Sequence, residues 1–281
     1  MNFDCVILDF DGTFTEVEKE AVPFVAAYRA AINDLVGPEH RERWDVIADQ
    51  VHQDPGQYGW RFDGRIVAPA NSDPYLRATV CTNLLFDELG LYGDLHERQE
   101  LLESLYRGNY TKADSCFRPE AKEVIEKLIA SGLPVWVVTN SDTEAVEAKI
   151  RDLGPVGREK LIVRGNAKKY IVTELDIEDE RFAQVPVEQR IPTLERPLYL
   201  RRGHYFRLLE EIWEKTQASP ERTIVAGDIY ELDLCLPAAL GVAVHLLERD
   251  TTPPHEVEAT RSAGGATSRD LYAVLERVGL S

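Results

Sequence analysis

The feature that most limits how this chain can fold is a short run, Cys5-Val6-Ile7-Leu8, that ends abruptly in Asp9-Phe10-Asp11-Gly12-Thr13. The run is apolar throughout and contains β-branched residues, with no polar alternation. A strand of that kind is buried on both faces, the habit of parallel sheets. The pattern recurs. Pro134-Val135-Trp136-Val137-Val138 runs into Thr139-Asn140-Ser141, and Thr223-Ile224-Val225-Ala226 runs into Gly227-Asp228. Val242 to Leu247 follows Gly241, and Leu161-Ile162-Val163 is a further candidate.

Helical patterns lie between these runs. Pro119 to Ala130 has Pro in its first turn, Val124, Ile125, Leu128 and Ile129 on one face, and Gly132 as its stop. Asp142 caps a helix bearing Val146, Ile150 and Leu153; Tyr205 to Trp213 is amphipathic; Leu234 to Leu240 is short. Ser268 is expected to open the last helix, with Leu271, Leu275 and Val278 on one face. Strands alternating with helices predict an α/β fold with a doubly wound parallel sheet.

Between Thr15 and Phe117 the texture becomes mostly helical: 21–35, 39–52, 74–89 and 95–107. One hairpin interrupts them, signalled by Asp63-Gly64 between extended residues. About a hundred residues is too long for an ordinary crossover, so the stretch reads as an inserted domain. The boundaries expected are 1–15 and 118–281 for the α/β core and 16–117 for the insertion. The acid-rich stretch from Tyr170 to Pro197 reads as a solvated loop.

With 49 Asp plus Glu against 32 Lys plus Arg, the 281-residue chain has a net charge of −17. Such a charge repels nucleic-acid backbones and anionic lipid, which argues against either as a partner. Four cysteines far apart, with no C-x-x-C pair, give no disulfide framework. No signal-like N-terminus or membrane-length apolar run occurs, so a cytoplasmic protein is expected.

In open α/β sheets, ligands bind at the carboxyl ends of the strands. Here those ends carry Asp9 and Asp11, Thr139 and Asn140, and Asp228. Carboxylates gathered there would repel unless paired, and hard oxygen ligands suit Mg²⁺, which also takes a phosphate oxygen.

Asp9-Phe10-Asp11-Gly12-Thr13 resembles the first signature, D-x-D-x-T, of the haloacid dehalogenase superfamily of phosphohydrolases. Thr139-Asn140-Ser141 resembles its second motif, and Gly227-Asp228 with Asp233 its fourth. The resemblance covers the core on both sides of the insertion and implies a Rossmann-like core with a helical cap. It implies Asp9 as a nucleophile forming an aspartyl-phosphate and Asp11 as the general acid and base. It further implies Thr13, Thr139 and Asn140 at the phosphate, and Asp9, Asp11 and Asp228 around Mg²⁺, with Asp11 contributing its backbone carbonyl and Asp233 an outer or alternate ligand. The family's third motif supplies a Lys, but Arg201-Arg202-Gly203 precedes the Tyr205 helix. Arg202 is therefore expected to balance the charge, with Lys168 and its neighbour Lys169 as the other candidates. The activity implied is Mg²⁺-dependent hydrolysis of a small phosphorylated metabolite, by a monomer or homodimer. A phosphomutase of the same superfamily and a non-catalytic binding protein that keeps the fold are the alternatives.

Overall fold

The computed structural model describes residues 3–110 and 115–280. The chain divides into two compact units, residues 1–16 with 117–281, and residues 17–116.

β1 (Cys5–Leu8) begins the first unit. The second unit follows as helices α1 (Val17–Glu20), α2 (Val22–Val36) and α3 (Arg41–Gln53), the strands β2 (Gly59–Phe62) and β3 (Arg65–Pro69), then α4 (Pro74–Leu89) and α5 (Leu95–Tyr110). Asp63 and Gly64 both take positive φ and turn β2 into β3, so the Asp-Gly signal forms the hairpin it predicts. The helices close on their own core, in which Phe24, Tyr28, Trp44, Ile47, Leu85 and Phe86 are buried. Trp60 and Phe62 lie edge to face, 6.5 Å apart, while Arg61 and Arg65 are exposed.

The first unit resumes where Phe117 bridges antiparallel to Thr15, so the chain leaves and re-enters this unit side by side. There follow α6 (Ala121–Ala130), β4 (Val135–Val138), α7 (Thr143–Leu153), β5 (Ile162–Arg164), α8 (Glu180–Gln184), β6 (Glu188–Ile191), β7 (Leu194–Tyr199) and α9 (Gly203–Thr216). Then come β8 (Thr223–Gly227), a single π turn over Tyr230–Leu234, α10 (Cys235–Ala239), β9 (Ala243–Leu247), α11 (Pro254–Ser262), β10 (Ala266–Ser268) and α12 (Tyr272–Val278). Six strands form one parallel sheet in the order β10-β9-β8-β1-β4-β5. Alternate residues serve opposite faces. Ile7, Trp136, Val138, Val225 and Val244 pack with α9 and α10, whereas Val6, Leu8, Val135, Val137 and Ile224 pack with α6, α7 and α12. Burial on both faces explains why these strands read as unbroken apolar runs.

Two expectations are corrected here. The 170–197 stretch is not simply a solvated loop: it contains α8 and the β6–β7 hairpin, and Phe182, Val185, Ile191, Leu194 and Leu198 enter the core beneath a charged outer face. Ser268 does not open a helix. It ends β10, paired with Leu247, and α12 starts at Tyr272. Among the described residues no helix is long and apolar enough to cross a membrane.

The Ser268 hydroxyl donates to the Asp270 carbonyl at 2.8 Å, so its oxygen is left to accept from His245 Nε2, also at 2.8 Å. His245 Nδ1 is buried without a partner, as befits a neutral ring. Burial first, and then the Arg277 charge, lower the His245 pKa from 6.5 to about 4. Between those values the unfolded chain binds a proton that the folded one does not. The stability contributed is therefore complete above pH 6.5 and is lost as pH falls toward 4. His245→Gln should flatten that acid limb by on the order of 3 kcal/mol. The check is Tm against pH for both proteins, and parallel curves would refute the assignment.

Candidate active site

Parallel pairing of β1 with β4 and β8 brings their carboxyl ends together: Leu8 is level with Val137 and with Ala226. The Asp9 N–H donates to the Ala226 carbonyl at 2.8 Å, which carries the strand register one residue into the site. Asp9, Asp228 and Asp233 are all buried, and one carboxylate oxygen from each lies within 4.8 Å of the others. They are the group among the described residues suited to a metal, and three hard, anionic oxygen donors fit Mg²⁺.

Lys169 is the cation shared by two of these carboxylates. Its Nζ donates to Asp9 Oδ1 at 2.8 Å and to Asp233 Oδ1 at 2.7 Å, in a setting where the lysine side chain is 1% exposed. Burial works against the ammonium, but Asp233 and Asp9 outweigh it and hold the Lys169 pKa above the ordinary lysine value. Burial, followed by the Asp233 charge, pushes Asp9 up to about 7 against the pull of Lys169. The expectation placed on Arg202 and Lys168 is corrected accordingly. Arg202 is fully buried, but its guanidinium donates to the carbonyls of Tyr199 at 3.0 Å and Lys169 at 2.6 Å, bracing the backbone that presents Lys169. Lys168 is exposed. Asn166 and Lys168 both take positive φ, and this double left-handed turn sends Lys168 outward while Lys169 points inward.

Asp11 stands apart from the three buried carboxylates. Its Oδ2 accepts from Ser141 Oγ at 2.6 Å and lies 3.4 Å from Thr139 Oγ1, while Lys149 Nζ is 3.6 Å from Oδ1. Its side chain is therefore not a fourth member of the candidate metal group. Thr13 Oγ1 lies 3.3 Å from Asp9 Oδ2. Asn140 uses its side-chain carbonyl to accept the Lys169 N–H at 2.8 Å, so it fixes the lysine loop. Asp228 Oδ2 lies 2.8 Å from Arg249 Nη2. Asp233 Oδ2 accepts the Ile229 N–H at 3.1 Å, and the Tyr205 hydroxyl donates to the Asp233 carbonyl at 3.0 Å.

The sequence reading missed Ser141, Lys149 and Arg249 as side chains of the site. Ser141 was visible beside Thr139 and Asn140, and Lys149 lies two turns into α7. Arg249 follows β9 and carried no signal.

Gly12 shows how tightly the site is built. Its φ is +80°, and a Cβ there would lie 2.1 Å from Asp228 Oδ2. Gly12→Ala must displace the Asp228 carboxylate and strain the turn. It should weaken divalent-cation binding by more than about tenfold, since shifting a ligand's support typically costs about 10–100-fold. Calorimetric titration with Mg²⁺ checks this, and unchanged affinity would show that Asp228 does not contribute.

The model of the haloacid dehalogenase-like hydrolase family matches residues 3–239, and the chain belongs to that family. Solved structures agree in fold. A "predicted phosphoglycolate phosphatase" from Haemophilus somnus 129PT aligns at 14% identity over 98% of both chains with a TM-score of 0.54. The L-2-haloacid dehalogenase RSc1362 aligns at 16% identity over 99% of this chain and 100% of its own, with a TM-score of 0.52. The HAD-hydrolase YfnB from Bacillus subtilis, bound to magnesium, aligns at 14% identity over 99% and 100%, with a TM-score of 0.52. No curated protein matches the sequence significantly.

Proposed function

We propose that this protein is a Mg²⁺-dependent phosphomonoester hydrolase acting on a small soluble organic phosphate through an aspartyl-phosphate on Asp9. The observation that carries the reading is the division of labour among the carboxylates. Asp9, Asp228 and Asp233 cluster, with Lys169 on Asp9 and Asp233 and Arg249 on Asp228, while Asp11 is held separately by hydroxyls and an ammonium.

Asp9, Asp228 and Asp233 would hold the cation, which supplies charge neutralisation for the phosphate dianion and the attacking carboxylate. An Asp9 carboxylate oxygen attacks phosphorus and splits the hydrolysis into two easier steps. Lys169 keeps its ammonium against Asp9, so two anions can approach each other. An alkoxide leaving group needs a proton, and Asp11 is the acid two residues along the strand end that supplies it. The same carboxylate then takes a proton from the water that attacks the acyl phosphate. A departing halide needs no such proton, so Asp11 favours phosphoryl chemistry over dehalogenation. Thr13 and Thr139 hydroxyls lie beside the two aspartates, where phosphate oxygens would be bound.

The test is phosphate release from an aryl phosphate and from a panel of sugar, nucleotide and amino-acid phosphates, with Mg²⁺ and with EDTA. Turnover in Mg²⁺ that EDTA abolishes is the expected result, and the best ester identifies the substrate class. If Mg²⁺ binds but no ester releases phosphate, the hydrolase reading fails and the mutase or binding protein takes its place.

A further inference from the structure

The loop that carries Asp228 and Asp233 also carries a carboxylate with no place in the chemistry. Glu231 is fully buried, yet it lies three residues after Asp228 and two before Asp233. Its partner comes from the β6–β7 hairpin, in the stretch between the Lys169 loop and α9. Arg196 on β7 donates through both terminal nitrogens, Nη1 to Oε2 at 2.9 Å and Nη2 to Oε1 at 2.6 Å. The hairpin grips the loop a second time, where the Tyr230 hydroxyl donates to Gln189 Oε1 at 3.2 Å. From α11, Glu256 Oε1 accepts the Glu231 N–H at 3.2 Å, and His255 Nε2 lies 3.5 Å from Glu231 Oε1. The loop between the two aspartates is thus held from outside by two elements.

Burying an ion pair here is a costly way to fill space, because apolar residues of similar volume usually serve stability as well or better. A two-pronged guanidinium–carboxylate contact does fix orientation as well as distance. Small divalent cations such as Mg²⁺ tolerate little departure from octahedral geometry. We infer that Arg196 is a positioning residue: through its fork on Glu231, the β6–β7 hairpin sets the loop so that Asp228 and Asp233 present their carboxylates at a divalent-cation site. The inference rests on reading Asp9, Asp228 and Asp233 as that site. It does not depend on which ester, if any, is hydrolysed.

Stability and positioning are separated by Arg196→Met, the double variant Arg196→Met with Glu231→Met, and Arg196→Lys. Each is compared with the full wild-type chain by calorimetric Mg²⁺ and Mn²⁺ titration and by Tm in EDTA. Arg196→Met leaves Glu231 buried without its fork, so both Tm and cation affinity should fall. The double variant should recover Tm while its affinity stays about 10–100-fold below wild type, the usual effect of losing an outer support of a metal ligand. Arg196→Lys keeps the charge but loses the fork. It should retain most of the Tm with clearly weakened binding, and it decides the matter if the double variant does not fold. Wild-type affinity in the folded double variant, or in Arg196→Lys, would overturn the inference and leave the hydrolase reading untouched. A wild type that binds cation normally but hydrolyses nothing would overturn only the hydrolase reading. Absence of cation binding by wild type would overturn both.

Discussion

Asp9→Asn is expected to lower phosphate release by at least about four orders of magnitude while leaving the protein folded. An amide in place of the carboxylate keeps the shape of the side chain but removes the oxygen nucleophile, and a lost nucleophile leaves only the catalysis that positioning and charge can provide. The fold should tolerate the change for reasons visible in the site. Asp9 is buried beside Asp233, and its carboxyl is pushed up to about 7 by burial and that neighbouring charge. Such a group stabilises the fold fully only below the unfolded value of 3.8, and its contribution is lost as pH rises through about 7. A neutral amide escapes that loss, and its oxygen can still accept from Lys169. Without divalent cation at pH 8, the Tm of Asp9→Asn should therefore equal or exceed that of wild type, a trade of stability for activity of the usual kind. Phosphate release and Tm on the same preparations check both halves. Residual turnover above about one per cent would remove Asp9 from the nucleophile's role.

The parts of this architecture legible in the sequence are those fixed by local chemistry. Cys5–Leu8, Val135–Val138 and Thr223–Gly227 read as strands because they are apolar throughout, and the polar residues at their ends, Asp9, Thr139 and Asp228, stand out against them. The Asp63-Gly64 hairpin is encoded in two residues. What escaped depends on distant pairing. Lys169 is among the candidate cations in the sequence, but its choice over Arg202 and Lys168 depends on the left-handed conformations of Asn166 and Lys168, which Lys permits without signalling. Arg202 has the right charge near the right helix, but its guanidinium is drawn to two backbone carbonyls. The β6–β7 hairpin hid among acids because only alternate residues, Ile191, Leu194 and Leu198 among them, turn inward. Glu231 is one of 49 acidic residues, and its place in the fold depends on Arg196, 35 positions away, and on His255.

Lys169→Met, set against Arg202→Met and Lys168→Met, is the second change with a large expected effect. Removing the Lys169 ammonium leaves Asp9 and Asp233 facing each other in a buried site with no cation between them. Breaking a buried ion pair from one side costs about 3–5 kcal/mol. The stability loss should shrink when Mg²⁺ is added and when pH is lowered enough to protonate a carboxylate. Turnover measured on the folded, Mg²⁺-saturated variant should fall by about a hundred- to a thousandfold, the range seen when one preorganised charge-stabilising group is removed. Arg202→Met also costs stability, because the Tyr199 and Lys169 carbonyls lose a buried donor. That cost, about 1–3 kcal/mol per unsatisfied group, falls on folding; its turnover, once folded, should stay within about tenfold of wild type, because Lys169 is shifted rather than deleted. Lys168→Met changes an exposed side chain and should leave both quantities near wild type. The ordering is the decisive result. If the Arg202 or Lys168 variant loses as much turnover as Lys169→Met at equal foldedness, the charge that meets the phosphoryl group does not reside on Lys169.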